Sequence, residues 1–302
     1  MLNTLFIFLQ HLLPHHLLSR LVGALAECRI SWIKNPLIRA FIRRYKVDMG
    51  EALSPTAESY IHFNAFFTRA LAEGARPLAE RGVLCPADGA ISQLGDIHAG
   101  RIVQAKGKQF TTQALLGGDR EEAQLFADGR FATIYLSPRD YHRVHMPLAG
   151  TLRWMRYIPG RLFSVNQTTV ANVDELFAVN ERLVCLFDTE RGPMAVVLVG
   201  AMIVAAIETV WAGQIAPPPR APVTTDYQQL PAPVSLARGA EMGRFKLGST
   251  VVLLFGQDAL RWDPALVAGA RVQMGSRLDE PDASSPDLDD VAPRQPSAAV
   301  DG

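Results

Sequence analysis

The chain has 302 residues, enough to bury a substantial core in one large domain or two smaller ones. Hydrophobic residues make up 48% and charged residues 20%, and Lys+Arg and Asp+Glu both total 30, so no overall charge points to nucleic acid. Cys28, Cys85 and Cys185 are odd in number and lack metal-ligand spacing. They predict buried, inert thiols in a reducing cytosol rather than disulfides or a zinc site.

The first fifty residues combine apolar helical periodicity with basic charge. Leu2–Leu13 is shorter than the roughly 20 apolar residues that span a bilayer, and it lacks the flanks of a signal peptide. His15–Cys28 and Ser31–Tyr45 predict two amphipathic helices, the second with Trp32 in its apolar pattern. The basic residues outnumber Glu27 and Asp48; they are Arg20, Arg29, Lys34, Arg39, Arg43, Arg44 and Lys46. The pattern fits helices on an anionic membrane surface and helices packed against the protein equally well.

From about Gly89 the sequence changes to short β-rich runs bounded by Gly, Pro and Asp. The predicted strands are Phe131–Leu136, Thr151–Tyr157, Arg182–Phe187, Ala195–Val199, Met202–Val210 and Thr250–Phe255. Met194–Val210 is apolar enough to suggest a membrane span, but Gly200 divides it into two halves of strand length, which predicts two buried strands. Beyond Ser276 the chain is acidic and rich in Ser and Pro, which predicts disorder.

Three local features carry candidate chemistry. Asp88 lies in a Pro-Ala-Asp-Gly turn, His142 and His145 lie three residues apart in Ser137–Pro147, and a Gly-Ser step at Ser249 opens an apolar run. Taken singly, the first feature is typical of a turn, the second of half a metal site, and the third of a loop. No further clustered His, Cys or acid completes a metal site, so we expect no metal. Together the three features supply the acid, base and hydroxyl of a Ser/His/Asp triad.

The sequence around the serine differs from that of a hydrolase, because the Gly-x-Ser-x-Gly elbow is absent. With no side chain at Gly248, the backbone can present its own carbonyl to the Ser249 hydroxyl. Attack there moves the Gly248 acyl group from nitrogen to oxygen. Loss of the Ser249 α-proton then eliminates the ester and breaks the chain, and the dehydroalanine that remains hydrolyses to a pyruvoyl group and ammonia.

Six longer stretches of sequence surround or contain these features, and we call them the ordered blocks because they follow one another in a fixed order along the chain. They are Phe63-Asn64-Ala65-Phe66-Phe67-Thr68-Arg69, Pro86–Gly89, Leu136–Pro147, Leu162–Asn166, Phe177–Arg182 and Glu241–Thr250. In these blocks the chain, from about Phe63 to Phe255, resembles the bacterial-type phosphatidylserine decarboxylases. We expect an α+β fold, in which the N-terminal amphipathic helices (residues 1–50) pack beside a β-rich catalytic body (51–275) and the acidic tail (276–302) is disordered. The resemblance implies that the catalytic part is a single body.

The resemblance also assigns roles. Asp88, His145 and Ser249 would form a self-cleavage triad, with His145 as the base and Asp88 holding its tautomer. Cleavage at Gly248-Ser249 would give a large and a small chain and a covalent pyruvoyl cofactor derived from Ser249. His142 would serve the decarboxylation half, in which the pyruvoyl group forms a Schiff base with phosphatidylserine and phosphatidylethanolamine is released.

A diacyl lipid substrate places the enzyme at a membrane. We expect a peripheral, monotopic protein on the cytoplasmic face, held to the anionic surface by the helices before Tyr45, and a homodimer as in relatives. Arg69, Lys106 and Arg143 are candidates for the substrate phosphate or carboxylate, with structural roles equally open. Aromatic and aliphatic residues also suggest a lipid site, although core packing is the commoner role; they are Phe66, Phe67, Leu162 and Phe163.

Three alternatives remain open from the residues. A conventional serine hydrolase would use the same three side chains on an external ester and stay one chain. A non-enzymatic membrane-bound scaffold would be unaffected by Ser249→Ala. A pyruvoyl enzyme for a soluble amino acid would have no use for the amphipathic N-terminus.

Overall fold

The computed structural model describes residues 10, 15–105, 107–202, 206–215, 221–246 and 249–281, with the backbone alone at residues 15–17, 20 and 249. Within this part the helices are α1 (His15–Ala26), α2 (Ser31–Tyr45), α3 (Phe63–Phe67), α4 (Thr112–Leu116), α5 (Arg120–Gln124), α6 (Gln167–Asn172) and α7 (Leu176–Val179), with a 3₁₀ turn at Ala57–Ser59. No helix in these ranges is both long and apolar enough to cross a bilayer.

The strands follow the turn punctuation of the sequence. They are β1 (Gly89–Asp96), β2 (Arg101–Ala105), β3 (Lys108–Thr111), β4 (Arg130–Leu136), β5 (Arg143–His145), β6 (Gly150–Ile158), β7 (Arg182–Thr189), β8 (Gly192–Gly200), β9 (Ala206–Thr209), β10 (Gly213–Gln214), β11 (Val223–Asp226), β12 (Ser235–Leu236), β13 (Glu241–Lys246), β14 (Ser249–Phe255) and β15 (Arg271–Val272). The predicted strands are confirmed within a few residues, except that Met202 lies in a turn before β9 and residues 203–205 lie outside the described part.

The described strands form two stacked antiparallel sheets and one separate hairpin. The large sheet has the order β11-β6-β7-β8-β14-β4-β1-β15, with β12 also pairing with β6. The small sheet has the order β10-β9-β13-β5, and β2 pairs with β3. The division expected at Gly200 is confirmed, because β8 ends there in the large sheet and β9 belongs to the small one.

Alternation along the central strands sends side chains into two cores. On β14, Val251 and Leu253 pack in the core between the two sheets, together with Val144 of β5 and Phe245 of β13. The neighbours on the other face of β14, including Val252, pack in a second core under the short helices. Both faces of the large sheet are therefore buried around β14, which explains why the sequences of its central strands are continuously apolar.

A third cluster belongs to the residues from α1 to α3, which we call the helical region (residues 15–67); the β-rich remainder is the body (residues 83–281). The cluster contains the buried side chains Ala26, Ile38, Val47, Ala57, Tyr60, Phe63, Phe66 and Phe67. Phe41 of α2 lies edge-on to Phe63 at 5.1 Å between ring centroids. This cluster crosses the boundary that the sequence predicted at residue 50. The fold is α+β, with helices beside a β-rich body, as expected.

The boundary predicted for the C-terminal tail is wrong for its first residues. Leu278 is fully buried, and Asp279 forms ion pairs with Arg191 and Arg277. The acidic character that suggested disorder is neutralised here by these two arginines, so the chain remains attached to the body through residue 281. Residues 282–302, the remainder of the expected tail, lie outside the described residues.

Candidate active site

Three strand ends meet where the sequence places the reactive serine. In the register of the large sheet, Ser249 at the start of β14 pairs with Leu136 at the end of β4 and with Gly200 at the end of β8. On the other side of the Gly-Ser step, the Phe245 amide donates to the His142 carbonyl at 3.0 Å. The described residues on both sides of the step are therefore held beside the segment from Leu136 to His142. Gly248 and the side chain of Ser249 lie outside the described part.

The strand that ends at Gly200 is braced by a buried amide. The Asn180 side chain accepts from the Phe163 amide at 3.1 Å and donates to the carbonyls of Phe163 and Gly200, each at 2.9 Å. Both Asn180 and Phe163 belong to ordered sequence blocks, and Leu162 and Phe163 are buried. Asn180 therefore fixes the neighbour of Ser249, a structural role that sequence reasoning did not assign.

The loop after β4 is shaped by Asp140. Its buried carboxylate accepts from the amide and the hydroxyl of Ser137, both at 2.7 Å, and from the Arg271 guanidinium at 2.8 Å. Burial acts to raise the pKa of Asp140, but the hydrogen bonds from Arg271 and Ser137 outweigh it and lower the pKa below its usual value. The charged carboxylate thus locks the turn that presents the next residues of the loop.

His142 follows this turn and is fully buried. Its Nδ1 lies 2.8 Å from the Asp140 carbonyl, which can only accept, so Nδ1 carries the proton. The other ring nitrogen, Nε2, is buried with no hydrogen-bond partner in the described part of the chain. Burial lowers the pKa of His142 to about 3, so the imidazole is neutral. Its ring lies 4.0 Å from that of Phe67, which closes the site from the helical region.

His145, on β5, has both ring nitrogens engaged. Nδ1 donates to the Gly239 carbonyl at 2.8 Å, which leaves Nε2 as an acceptor for the Tyr141 hydroxyl at 2.9 Å. Burial lowers the pKa of His145 and raises the pKa of Tyr141 to about 12, so a neutral imidazole faces a protonated phenol. The tautomer is the one that a general base needs, because the Nε2 lone pair is available once the phenol moves aside.

Asp88 is buried, but its hydrogen-bond partners do not include His145, the partner that the resemblance implied. Its carboxylate accepts from the Arg76 guanidinium at 2.6, 3.0 and 3.2 Å and from the Met274 amide at 2.9 Å. Arg76 also pairs with Glu51 at 2.7 Å, and the hydrogen bond to Asp88 is the main reason that the pKa of Arg76 is raised. The expectation that Asp88 fixes the tautomer of His145 is corrected, because the Gly239 carbonyl makes that contact.

The other candidates fall into distinct groups. Arg143 donates to the Thr68 carbonyl at 2.9 Å and pairs with Glu241 at 2.8 Å, so its charge is already used. Arg69 is buried, with one long hydrogen bond from its terminal nitrogen to the Arg139 carbonyl at 3.2 Å. Lys106 lies outside the described residues. Phe66 and Phe67 are core residues of the helical region.

The cysteines are free, and two of them agree with the prediction of buried thiols. Burial raises the pKa of Cys85 to about 12 and raises that of Cys185 as well, so neither forms a thiolate readily. Cys28, in the helical region, is only half-buried, which differs from the prediction.

Sequence reasoning missed Arg76, Tyr141 and the Gly239 carbonyl as parts of this site. Tyr141 lay inside a block that was recognised, and its position directly before His142 and four residues before His145 was a usable signal. A buried acid such as Asp88 needs a cation, but nothing in the sequence singles out Arg76 from the other basic residues. The Gly239 carbonyl could not have been found, because backbone groups carry no sequence signal.

Comparison with known proteins adds independent information. The family profile described as phosphatidylserine decarboxylase matches residues 63–279, and a second profile, described as PSD, matches residues 5–46. Two proteins named phosphatidylserine decarboxylase proenzyme, from Ectopseudomonas mendocina (strain ymp) and Pseudomonas putida (strain GB-1), are each 64% identical to this chain. The alignments cover 92% and 93% of this chain and 98% and 99% of the relatives. A third protein of that name, from Pseudomonas fluorescens (strain Pf0-1), is 62% identical over 94% of this chain and 100% of its own length.

Proposed function

This chain belongs to the phosphatidylserine decarboxylase family, and we propose that it converts phosphatidylserine to phosphatidylethanolamine with a pyruvoyl group made from its own Ser249. The observation that carries this proposal is the family match over residues 63–279, which includes every candidate site residue. The relatives are named proenzymes, which supports a precursor that is processed into two chains. The rival hydrolase and scaffold functions have no comparable support.

Self-cleavage begins with His145. Its neutral Nε2 accepts the proton of the Ser249 hydroxyl, and the oxygen attacks the Gly248 carbonyl carbon. The Gly248 acyl group moves from nitrogen to oxygen, and removal of the Ser249 α-proton expels the Gly248 carboxylate. Hydrolysis of the resulting dehydroalanine leaves the new end as a pyruvoyl group and releases ammonia. The negative charge of Asp88 acts to raise the pKa of His145 against burial, so it favours the imidazolium that forms during proton transfer.

The residues around the start of β14 fit a carbonyl cofactor formed there. The register holds the Ser249 backbone between two strand ends, and the loop beside it carries His142, whose buried Nε2 has no partner among the described atoms. An unsatisfied buried acceptor is costly in a resting protein, so it suits a site that a substrate donor fills. A pyruvoyl group supplies a carbonyl that condenses with an amine and withdraws electrons as carbon dioxide leaves. We assign His142 to this half of the reaction, where it holds the substrate or transfers a proton.

The lipid substrate also places the protein at a membrane. The helical region exposes large apolar side chains, namely Leu21, Leu25, Ile30 and Trp32, and it also exposes the basic residues Arg29, Arg43 and Arg44. This combination supports peripheral binding to an anionic surface, which we assign to the cytoplasmic face. We also expect a homodimer, as the family resemblance implied.

Intact mass spectrometry of the purified protein tests the self-processing half. Wild type should give a large fragment ending at Gly248 and a small fragment that begins with a pyruvoyl group in place of Ser249. Ser249→Ala and His145→Ala should each remain one chain, while replacement of the exposed His98 by alanine should leave processing complete. A wild-type chain that stays whole in the presence of lipid would overturn the pyruvoyl mechanism and favour a hydrolase.

His142→Ala separates the two halves of the proposal. This variant should still give two chains but lose product formation by about 10²- to 10⁴-fold, the range expected for a general acid or base. Release of radiolabelled carbon dioxide from phosphatidylserine in mixed micelles measures the loss. An uncleaved His142→Ala chain beside a cleaved His145→Ala chain would reverse the division of labour.

A further inference from the structure

Two buried arginines lie seven residues apart in the sequence and differ in their partners. Arg76 uses its guanidinium fully, with Asp88 and Glu51 as counter-charges and a hydrogen bond to the Ala75 carbonyl. Arg69 is only 4% exposed and makes one hydrogen bond, to the Arg139 carbonyl at 3.2 Å. Its Nε proton has no acceptor within the described chain, and no carboxylate there lies within ion-pair distance.

The carboxylates that act on the charge of Arg69 are Asp88, Glu51 and Asp140, and each is already bonded to another arginine. Asp88 and Asp140 both act to raise its pKa, but Asp88 is bonded to Arg76 and Asp140 to Arg271. Desolvation outweighs them and lowers the pKa of Arg69. A cation that is buried without a counter-charge is expensive, so a protein that keeps one in this state has a use for an incoming anion.

Buried arginine is not always unsatisfied in this fold. Arg182 is 3% exposed and also lacks a carboxylate partner among the described residues, but its three nitrogens donate to the carbonyls of Ala114, Leu115, Ala178 and Asn180. It therefore pins the ends of short helices. Arg143 is neutralised by Glu241. Of the three cations that the sequence singled out, the described geometry leaves Arg69 with unused donors and unneutralised charge.

Arg69 lies at the junction of the helical region and the catalytic loop. It follows α3, whose Phe67 ring contacts the His142 ring, and it donates to Arg139 in the loop that leads to His142. Its guanidinium carbon lies 5.6 Å from the centre of the Phe66 ring. An unfilled donor on Arg69 and an unfilled acceptor on His142 therefore occur on adjoining segments of this junction.

We propose that Arg69 binds the phosphate of the substrate headgroup, an inference that rests on the proposed function. The substrate carries two anions, and the chemistry distinguishes them. Decarboxylation turns the carboxylate into neutral carbon dioxide, so a cation paired with it would stabilise the ground state more than the transition state and slow the reaction. The phosphodiester keeps its charge throughout, and the planar guanidinium suits two of its oxygens. Arg69 therefore anchors the headgroup through its phosphate and does not pair with the substrate carboxylate.

Arg69→Gln tests this assignment after processing has been checked by mass spectrometry. With dihexanoyl-phosphatidylserine in mixed micelles, the KM should rise about 10- to 100-fold, as for loss of a charged hydrogen bond, with a smaller change in kcat. The inhibition constant of dihexanoyl-phosphatidylethanolamine should rise by a similar factor, because the product keeps the phosphate and lacks the carboxylate. Arg120→Gln, which removes an exposed guanidinium on α5 of the body, is the matched control and should change neither value.

The outcomes separate the inference from the proposed function. If wild type decarboxylates the lipid and both constants are unchanged in the processed variant, Arg69 does not bind the headgroup. If KM rises but product inhibition is unchanged, the contact is to the carboxylate and the phosphate assignment is wrong. If Arg69→Gln fails to process, Arg69→Lys, which keeps the buried charge and loses the forked donors, is judged by the same two constants. An inactive wild type would instead overturn the proposed function.

Discussion

The body and the helical region place apolar side chains in opposite environments. On β14 of the body, Val251–Phe255 are buried on both faces of the strand. On α2 of the helical region, Trp32 is 77% exposed while Lys34, two residues later, is 6% exposed. The body follows the usual rule that apolar groups leave water. The helical region reverses it along part of its surface.

The reversal is confined to part of the helical region, since its aromatic cluster around Phe66 is as well buried as the body. The exposed residues Leu21, Leu25, Ile30 and Trp32 lie within twelve positions of the sequence, beside basic side chains. Contiguous exposed apolar patches usually mark a contact with another phase or partner. The comparison therefore teaches that the body buries its apolar strands on both faces, whereas the helical region combines a buried core with exposed apolar side chains, which the proposed membrane binding would use.

The largest effect should come from the body. Leu253→Ala leaves a cavity in the core between the two sheets, where the side chain is fully buried, and should lower the free energy of unfolding by about 2–5 kcal/mol. Urea denaturation in a Ser249→Ala background, which should remain one chain, measures this loss. Leu230→Ala at an exposed leucine is the matched control, expected within about 0.5 kcal/mol of the parent. Equal losses at the two sites would contradict the buried-core description.

The reverse result should hold in the helical region. Trp32→Ser should leave the free energy of unfolding nearly unchanged, because the ring has little burial to lose. Binding to vesicles of phosphatidylcholine and phosphatidylglycerol should weaken by roughly 10-fold or more, the effect of withdrawing one large apolar side chain from a lipid phase. Co-sedimentation measures the binding. Leu230→Ser, an exposed apolar residue of the body, should bind as the parent does; matching losses would mean that the contact is not specific to the helical region.

The sequence was sufficient to predict features with a local origin. The two helices end within two residues of their predicted positions, and the main strands appear where turn residues bound apolar runs, since periodicity and turn chemistry act over a few residues. The sequence motifs predicted that His142 and the Gly-Ser step act in one site, and the loop that carries His142 does lie beside that step. The hydrogen bond between the Phe245 amide and the His142 carbonyl could not be predicted, because it arises from strand pairing.

The parts that could not be predicted depend on tertiary neighbours. The partner of Asp88 is Arg76 rather than His145, because the tertiary fold places the Arg76 guanidinium against the Asp88 carboxylate. The attachment of Leu278 was hidden, because one apolar residue in an acidic segment gives no periodicity. The unsatisfied state of Arg69 likewise depends on which acids its neighbours have already neutralised.

The remaining effect depends on pH and should arise at the junction between the two regions, where His142 contacts Phe67. The folded-state pKa of His142, about 3, lies below its ordinary value of 6.5. Between these limits the unfolded chain binds a proton that the folded chain does not, so stability falls as pH decreases through this window. The contribution is up to about 1.4 kcal/mol per pH unit for one proton. His142→Asn, which keeps a donor for the Asp140 carbonyl, should remove it.

Urea unfolding from pH 6.5 down to pH 4.5 in the Ser249→Ala background measures the difference. The parent should lose stability more steeply than His142→Asn, by nearly one proton at the acidic end of this range. Equal slopes in the parent and His142→Asn would mean that water reaches the imidazole in solution. The aromatic cluster of the helical region would then not seal the catalytic loop, and the two regions would be joined less closely than the contact with Phe67 implies.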